Sequence, residues 1–579
     1  MMADEDSLQI NDTAKTFCSI LFDVMQQKGV GDVVCSPGSR NAPLLIAAAA
    51  RQNMRKHVVI DERNAAFMAL GMAMVSRKPV ALVCTSGTAL LNYAPAVAEA
   101  FYQSVPLIVI SADRPEQWID QDDSQTLRQF EALSNFVKKS YQLPAWGDDN
   151  SELQWYANRI ANDAMIEATS RRNGPVHINV RLGEPLNGKT PHTTGRERVI
   201  DMLTADSIAN KEVVKALAEE ASRCKVMLVA GFLPPDEKLQ KAVSEFCRLP
   251  NVTVMAETLS NLYVRYANDI DSVITAYDDA FLDSMAPDLV ISIGGSLVSR
   301  KLKEYLRRNS GKCRHWSLGW NHTTSDVFQS ITKRIEVDPA RFLRLLTAFM
   351  AKMVDEDSEE AHFCIDWFNA KLEARSMKMH SVITLKEWCE MMALEEIFTS
   401  VPQAANLFLS NGTVVRYAQL LNNKKPHASY CNRGVSGIDG SISTAIGGAK
   451  AYGRMTVIVS GDMSMAYDLG SLALPEIPDS TRLIVIDNCG GGIFRFIPTT
   501  SGLDEREQYF CTRPQLPLRQ LAEGYGWEYA EAASKRELNE ALKTFFHEGK
   551  KKILRVVCDG ELSAKVLKDY MNLKLKPEI

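Results

Sequence analysis

The sequence predicts an α/β protein of three doubly wound, parallel-sheet domains. Three observations carry that expectation. Short apolar runs recur along the chain and alternate with helix-length segments, the pattern of strands joined by crossover helices. Each run ends in a polar or glycine-rich turn, as strands buried on both faces do in such sheets. And 579 residues exceed what one hydrophobic core supports, so about three domains of roughly 190 residues are expected.

In the first third, Asp32–Cys35, Val80–Cys84 and Leu107–Ile110 are expected strands. They lead into Ser36-Pro37-Gly38-Ser39-Arg40, Thr85-Ser86-Gly87-Thr88 and Ser111-Ala112-Asp113-Arg114. After a further strand at Pro175–Val180, the polar stretch Asn187-Gly188-Lys189-Thr190-Pro191 reads as a linker. A middle block follows, with strands at Val226–Ala230, Val252–Ala256 and Leu289–Ile293 and a helix around Phe342–Met350. It ends near Asp355-Glu356-Asp357, which sets expected domains at 1–188, 189–355 and 356–579. The last block opens with amphipathic helical sequence and then holds apolar runs at Met455–Val459 and Leu483–Ile486. The stretch VALVCTSGTALLNYAPAVAEAFYQSVPLIVISAD in the first block aligns with MTVIVSGDMSMAYDLGSLALPEIPDSTRLIVIDN in the last, strand on strand and Ser-Gly on Ser-Gly. Two readings fit: a duplicated α/β domain, or two ordinary βαβ units that coincide.

Composition excludes several classes. Apolar content of 46%, charged content of 24% and a formal net charge of −5 give no reason to expect nucleic acid or an anionic membrane as partner. The 12 cysteines form no CxxC pair, so neither a zinc site nor a disulfide framework is suggested. Asp4-Glu5-Asp6 stands where a signal peptide would be basic, and no run reaches the length of a membrane span, so a cytoplasmic protein is expected.

The most informative segment is Ser460–Phe494. One apolar run stops at Gly461-Asp462 and a second at Asp487-Asn488, followed by Gly490-Gly491-Gly492. Ligands of open α/β sheets collect at the carboxyl ends of strands. A carboxylate, an amide oxygen and a backbone carbonyl beside glycines suit Mg2+, which completes its shell with phosphate and water. A Mg2+-bridged diphosphate is therefore expected. Far upstream, Glu62 stands at the mouth of the helical run Ala65–Val75, which is apolar on nearly every face and so must be buried all round. Taken alone, Glu62 is a helix N-terminal acid favoured by the macrodipole. A carboxylate beside an apolar wall is also suited to sharing a proton with a ring nitrogen.

Together the GD-x25-N segment, the glycines, the duplicated α/β pattern and the early glutamate resemble the thiamine diphosphate-dependent enzymes. The resemblance is narrower still, to the branch that serves menaquinone biosynthesis. It rests on Ser36–Leu44, Ile60-Asp61-Glu62-Arg63, Thr85–Ala89 and Ala112-Asp113-Arg114-Pro115 with Gln125-Thr126 in the first block. In the last block it rests on Ser410–Arg416, Asn432-Arg433-Gly434-Val435-Ser436-Gly437-Ile438-Asp439-Gly440 and the Ser460–Phe494 segment. The middle block resembles the family mostly by position.

That resemblance implies pyrimidine-binding, central and diphosphate-binding domains, with a cofactor of thiamine diphosphate and Mg2+, or Mn2+ in its place. It implies a transferase that decarboxylates 2-oxoglutarate and adds the succinyl unit to isochorismate, and a homodimer or homotetramer. Glu62 would bond the aminopyrimidine ring of cofactor held by the partner subunit, and Ile438 would lie beneath the cofactor. Asp462, Asn488 and the Gly490 carbonyl would ligate the metal. Gly461 and Ser464 would accompany them, and Ile493 and Phe494 would line the thiazolium pocket. Ser39, Arg40 and Arg114, with Arg300 and Lys301, would hold isochorismate. Gln125, Ser124, Arg416 and Arg433 would hold the part derived from 2-oxoglutarate. The arginines make chemical sense, because both substrates are dicarboxylates and a guanidinium fork grips carboxylates bidentately.

The chain departs from the family pattern in places. It has Asp487-Asn488-Cys489 where a run of asparagines is common, so Asp487 competes with Asn488 as metal ligand. Ser124 replaces a frequent asparagine, Gly412 a frequent serine, and Arg300-Lys301 reverses the common order. His177 and His427 fall outside the motifs and read as structural. The alternatives are another thiamine diphosphate-dependent 2-oxoacid decarboxylase or carboligase, a dinucleotide oxidoreductase, or a silent binding module. No GxGxxG or GxxxxGK[ST] appears, which lowers the nucleotide reading.

Overall fold

Three six-stranded sheets organise the chain in the computed structural model, which describes residues 9–145, 151–203, 210–265, 267–320, 325–421 and 426–575. Asp4-Glu5-Asp6 lies outside them. The first sheet comprises β2 (Asp32–Cys35), β3 (Arg55–Val58), β4 (Val80–Cys84), β5 (Leu107–Asp113), β6 (Ser140–Leu143) and β7 (Val176–Arg181), in the order β3-β2-β4-β5-β7-β6. All of its pairings are parallel. The central sheet comprises β9 (Val226–Ala230), β10 (Val252–Ala256), β11 (Ala267–Asn268), β12 (Leu289–Ile293), β13 (Arg314–Leu318) and β14 (Ile331–Ile335), ordered β11-β10-β9-β12-β13-β14. The last comprises β15 (Asn406–Leu409), β16 (Ala428–Tyr430), β17 (Thr456–Gly461), β18 (Thr481–Asp487), β19 (Glu528–Ala532) and β20 (Lys552–Val557), ordered β16-β15-β17-β18-β20-β19.

The first and last sheets share one topology. Counting strands within each sheet, both run second, first, third, fourth, sixth, fifth. The central sheet instead reverses after its first strand, the order of dinucleotide-binding folds. Two sheets that share an order the third lacks favour duplication over coincidence. In both, the chain changes direction between the first and third strands, which opens a crevice at their carboxyl ends. For the first sheet these ends carry Ser36–Arg40 and Thr85–Thr88; for the last they carry Ser410–Gly412 and Gly461-Asp462.

The expected linker at Asn187–Pro191 is corrected in part. Lys189–Thr193 forms β8, which pairs antiparallel with β1 (Gln9–Thr13) in a two-stranded ribbon. The buried positions of β1 are the polar Asp12 and Thr13, with Asp12 paired to the buried Arg51, and the ribbon's edge tolerates Pro191, which cannot donate to a ladder. A polar run is therefore what its sequence shows.

The chain divides into two compact units. One holds residues 1–204 with 432–456 and 467–481; the other holds 205–431, 457–466 and 482–579. In the first, Val33, Ala81, Val83, Ile108, Ile110 and Ile178 pack against Phe17, Leu21, Phe22, Ala157 and Ile160 from the helices Thr16–Gln27 and Ser151–Thr169. The helix Glu62–Ser76 is buried from Asn64 through Met74, as its all-round apolarity predicts. The helix Ser441–Tyr452 packs along it. In the second unit, Val226, Leu228, Val254, Ile291 and Trp316 pack against Phe246, Phe342, Leu343 and Leu346.

Candidate functional site

In the second unit, β17 delivers Asp462 and β18 delivers Asp487-Asn488 at their carboxyl ends. The three side chains have different fates. Asp487 Oδ2 accepts from the Arg555 guanidinium, through Nε at 2.8 Å and through Nη2. Arg555 sits on β20, the strand beside β18, and is held there by the parallel register. Asp487 is thus committed to an ion pair. Asn488, 4% exposed, donates Nδ2 to Glu390 Oε1 at 2.5 Å. Its Oδ1 is buried and has no hydrogen-bond partner. Asp462, 3% exposed, accepts from Gly490 N–H at 2.7 Å and from Met463 N–H at 2.8 Å. Burial pushes its carboxyl up to about 6 against those two bonds, and the charges of Asp487 and Glu390 push the same way.

These residues fit a divalent cation. A buried amide oxygen without a donor is costly, and so is the charge of a buried carboxyl, Asp462, that burial and the neighbouring Asp487 and Glu390 all push upward. One hard oxygen-seeking cation answers both. The turn is built for close approach: Gly490 has φ +97, and a Cβ there would meet the carbonyl oxygens of Thr512 at 2.5 Å and Cys511 at 2.6 Å. The Gly490 carbonyl accepts from Arg495 Nη1 at 3.1 Å, which engages one of its two lone pairs. Gly461 N–H donates to Ser410 Oγ at 3.2 Å, Ser464 is buried, and Ile493 and Phe494 are partly exposed on the same turn and helix.

The second unit also gathers cations. Arg416 donates to the Gly412 carbonyl. Its charge, with those of Lys301 and Lys303, stabilises the ionised form of buried Asp271 against desolvation. Asp271 in turn accepts from Ser299 Oγ at 2.5 Å, and Ser299 caps the helix Arg300–Arg308. Arg300 and Lys301 are exposed on that helix and both pair with Glu304. Glu257 holds the approach to it, accepting from Val298 N–H at 2.8 Å and Ser299 N–H at 2.7 Å.

In the first unit, Asp61 caps the helix by accepting from Asn64 N–H at 3.1 Å. That leaves Glu62 without the capping role, and its carboxylate is partly exposed. Burial raises Cys84 at the end of β4 and Tyr93, and the charge of Glu62 adds to both. Gly38 lies against Thr85, so the Ser36–Arg40 and Thr85–Thr88 turns touch. Gly87 lies against Gln125, where a Cβ would be 2.9 Å from Gln125 Cγ. Arg40 donates to the Leu182 carbonyl at 3.0 Å and pairs with Glu184 at 3.2 Å. Burial lowers its pKa first, and the neighbouring charge of Arg114 lowers it further, so the structure brings these two arginines together. Arg114 pairs with Asp123 at 2.5 Å and donates to the Ser124 carbonyl at 3.0 Å. Ser39 lies in the same turn as Arg40. Arg433 and Ile438 occupy the loop that precedes the helix Ser441–Tyr452, and both are partly buried.

Four residues outside the expected site residues position this machinery. Glu99 accepts from Gly434 N–H at 2.5 Å and Val435 N–H at 2.7 Å, pinning the loop of Arg433 and Ile438. Gln129 accepts from Gly87 N–H at 2.7 Å. Asp468 accepts from Ile442 N–H at 2.9 Å, Ser443 N–H at 2.7 Å and Asn64 Nδ2 at 2.7 Å. Glu390 holds Asn488. A lone carboxylate or amide far along the chain from its partner leaves no periodicity or spacing to find it by.

An α/β fold with two sheets of one topology, a carboxylate–amide cradle on one and a presented glutamate beside the other defines a thiamine diphosphate-dependent enzyme. Residues 15–132 match the family model described as thiamine pyrophosphate enzyme, N-terminal TPP binding domain, and residues 411–556 match its C-terminal TPP binding domain. The chain is 40% identical over 567 residues to the 2-succinyl-5-enolpyruvyl-6-hydroxy-3-cyclohexene-1-carboxylate synthase of Porphyromonas gingivalis, covering 95% of this chain and 96% of the relative. It is 36% identical to the synthase of that name from Cytophaga hutchinsonii (95% and 97% covered) and 34% to that from Bacteroides fragilis (94% and 97%). The chain belongs to the 2-succinyl-5-enolpyruvyl-6-hydroxy-3-cyclohexene-1-carboxylate synthase family. Among the described residues, no helix is long and apolar enough to cross a membrane.

Proposed function

We propose that the protein decarboxylates 2-oxoglutarate and joins the remaining succinyl unit to isochorismate, with thiamine diphosphate and Mg2+ as cofactors, as a step of menaquinone biosynthesis. The observation that carries this reading is the buried, unpartnered Asn488 Oδ1 beside Asp462, in a chain 40% identical over nearly its whole length to a synthase whose product name joins those two parts. Bound thiamine diphosphate supplies a nucleophilic carbon and an electron sink that lets a carboxylate leave as CO2. The protein's part is binding, orientation and charge. Asp462, Asn488 Oδ1 and the second lone pair of the Gly490 carbonyl would hold Mg2+, with Gly461 and Ser464 beside the diphosphate. Ile438, Ile493 and Phe494 would give the cofactor rings an apolar bed. Glu62 would hold a proton shared with the aminopyrimidine ring. The paired Arg40 and Arg114, with Ser39, would meet isochorismate carboxylates, and Arg300 and Lys301 would add charge. Arg416, Arg433, Gln125 and Ser124 would orient the 2-oxoglutarate part.

The same reading assigns residues 1–188 to a pyrimidine-binding domain, 189–355 to a central domain and 356–579 to a diphosphate-binding domain. It makes the protein a cytoplasmic homodimer or homotetramer. Ile60 is 84% exposed and Val58 57% exposed, an apolar approach to Glu62 that a second copy would cover.

The test is direct. Protein mixed with Mg2+, thiamine diphosphate, 2-oxoglutarate and isochorismate should consume isochorismate, followed by its absorbance, with no nicotinamide cofactor present. Equal turnover with pyruvate would overturn the substrate assignment, and no consumption would overturn the activity. Glu62→Gln should lower kcat by about 10²- to 10⁴-fold, the usual worth of a positioned proton-transfer group, while cofactor binding survives.

A further inference from the structure

Asn488 can serve a cation only through its oxygen, yet the two ends of a carboxamide have nearly the same shape. Something must decide which end faces the metal position. Glu390 is the residue against it. It opens the helix Glu390–Ser400 and is 1% exposed. Its Oε1 accepts from Asn488 Nδ2 at 2.5 Å, across 98 residues of sequence, and its Oε2 accepts from Thr413 Oγ1 at 3.1 Å. Its backbone N–H donates to Ser563 Oγ at 3.0 Å, so the head of the helix is fixed as well. Gly492 leaves the room this contact needs: a Cβ there would collide with Asn488 Nδ2 and lie 3.4 Å from Glu390 Oε1.

We propose that Glu390 is a positioning residue that fixes the polarity of the Asn488 carboxamide, nitrogen toward itself and oxygen toward the cation. Both Glu390 oxygens act as acceptors, one from Asn488 Nδ2 and the other from Thr413 Oγ1. The reversed amide would set oxygen against oxygen in a buried place and leave an N–H₂ where a cation must bind. With the amide as it stands, Oδ1 is the one hydrogen-bonding atom of this pair left over. The inference rests on Asn488 being a metal ligand, and the experiment separates the two claims.

The measurement is the Mg2+ concentration that half-loads the apo-protein with thiamine diphosphate, read by tryptophan fluorescence or calorimetry, beside the thermal midpoint of the apo-protein. Glu390→Gln keeps shape but presents a group that can donate as well as accept, so either amide polarity is allowed. It should raise the Mg2+ requirement by about 10- to 100-fold, the usual cost of losing a group behind a metal ligand, with the apo midpoint little changed. The double variant E390Q/N488D reverses the hydrogen bond, the introduced amide donating to the introduced carboxylate, and keeps both the net charge and a metal-facing oxygen. It should recover most of that loss. A Mg2+ requirement for Glu390→Gln within about two-fold of wild type, or a folded double variant no better than Glu390→Gln alone, would overturn the proposal. Asn488→Ala discriminates the underlying reading: if its Mg2+ requirement is unchanged, Asn488 is not a ligand, and both claims fall together. If the double variant does not fold, the Glu390→Gln comparison decides by itself.

Discussion

Asp487 and Asn488 are neighbours at the end of one strand, yet alternation points them into different surroundings. Asp487 meets Arg555 on the adjacent strand, and Asn488 meets Glu390. From sequence the two competed as metal ligand; cross-strand register gives Asp487 to Arg555, which is why Asn488 is the ligand proposed. Histidines show the same dependence on surroundings. His177 lies outside every motif, is wholly buried and has Nε2 2.8 Å from Ser111 Oγ. Burial pushes its pKa down to about 4, and burial does the same to His315, also to about 4. Both are neutral when folded, whereas an unfolded histidine titrates near 6.5. The unfolded state therefore binds more protons between those values, so stability present above about pH 6.5 is lost as pH falls toward 4. His177 alone should account for about 3 kcal/mol by pH 4. Thermal midpoints measured at pH 7 and pH 4.5 should differ less in His177→Gln than in wild type. An equal drop in both would show that His177 does not titrate in this window.

Among the elements, two helices in the first unit decide how Glu62 is presented. Glu62–Ser76 and Ser441–Tyr452 cross backbone to backbone. A Cβ on Gly71 would run into the Thr444 carbonyl, and one on Gly447 would lie 2.8 Å from the Met68 carbonyl carbon. Asp468 and Asn64 lock the crossing with buried hydrogen bonds. In an isolated helix, Gly→Ala gains about 0.5–1 kcal/mol. Here the added methyl has no space, and overpacking costs about 1–3 kcal/mol, so the sign reverses. Gly71→Ala should lower the thermal midpoint; a rise would show that the helices separate at little cost. The sequence announced the helix through its all-round apolarity. It did not announce its partner, because a helix buried on every face says only that something covers it. The ribbon of β1 and β8 was missed for a related reason: short and polar, it carries the composition of a loop.

Across the chain as a whole, the shared strand order of the first and last sheets is the counterpart of the aligned VALVCTSG and MTVIVSGD segments. Both copies put their turns at the carboxyl ends of the first and third strands, one carrying Thr85-Ser86-Gly87 and the other Gly461-Asp462. Ile60, 84% exposed two residues before Glu62, is the position at which assembly is best tested. Covering an isoleucine is worth about 1.5–3 kcal/mol per copy, and a buried unpaired carboxylate costs several kcal/mol. On the proposed homo-oligomeric reading, Ile60→Asp should shift the sizing-column mass toward a single chain and lower turnover with it. A variant that keeps the wild-type mass would move the interface elsewhere.

Local patterns in the chain were enough to locate nine of the strands, the turns that end them and the residue types those turns carry. Apolar periodicity, glycine placement and short motifs are read within a few residues, and Asp462, Asn488, Glu62 and the Arg433–Ile438 loop all lie in such motifs. What each motif residue faces was settled by folding alone. Folding gave Asp487 to Arg555, turned the Asn488 oxygen free by way of Glu390, pinned the Gly434-Val435 turn with Glu99, and set Arg40 beside Arg114. Those choices are hydrogen bonds and charge contacts between residues far apart in sequence, up to 336 positions for Glu99 and Val435. Their physical origin is that a buried donor or acceptor must find its partner in space, and sequence spacing does not record where that partner lies.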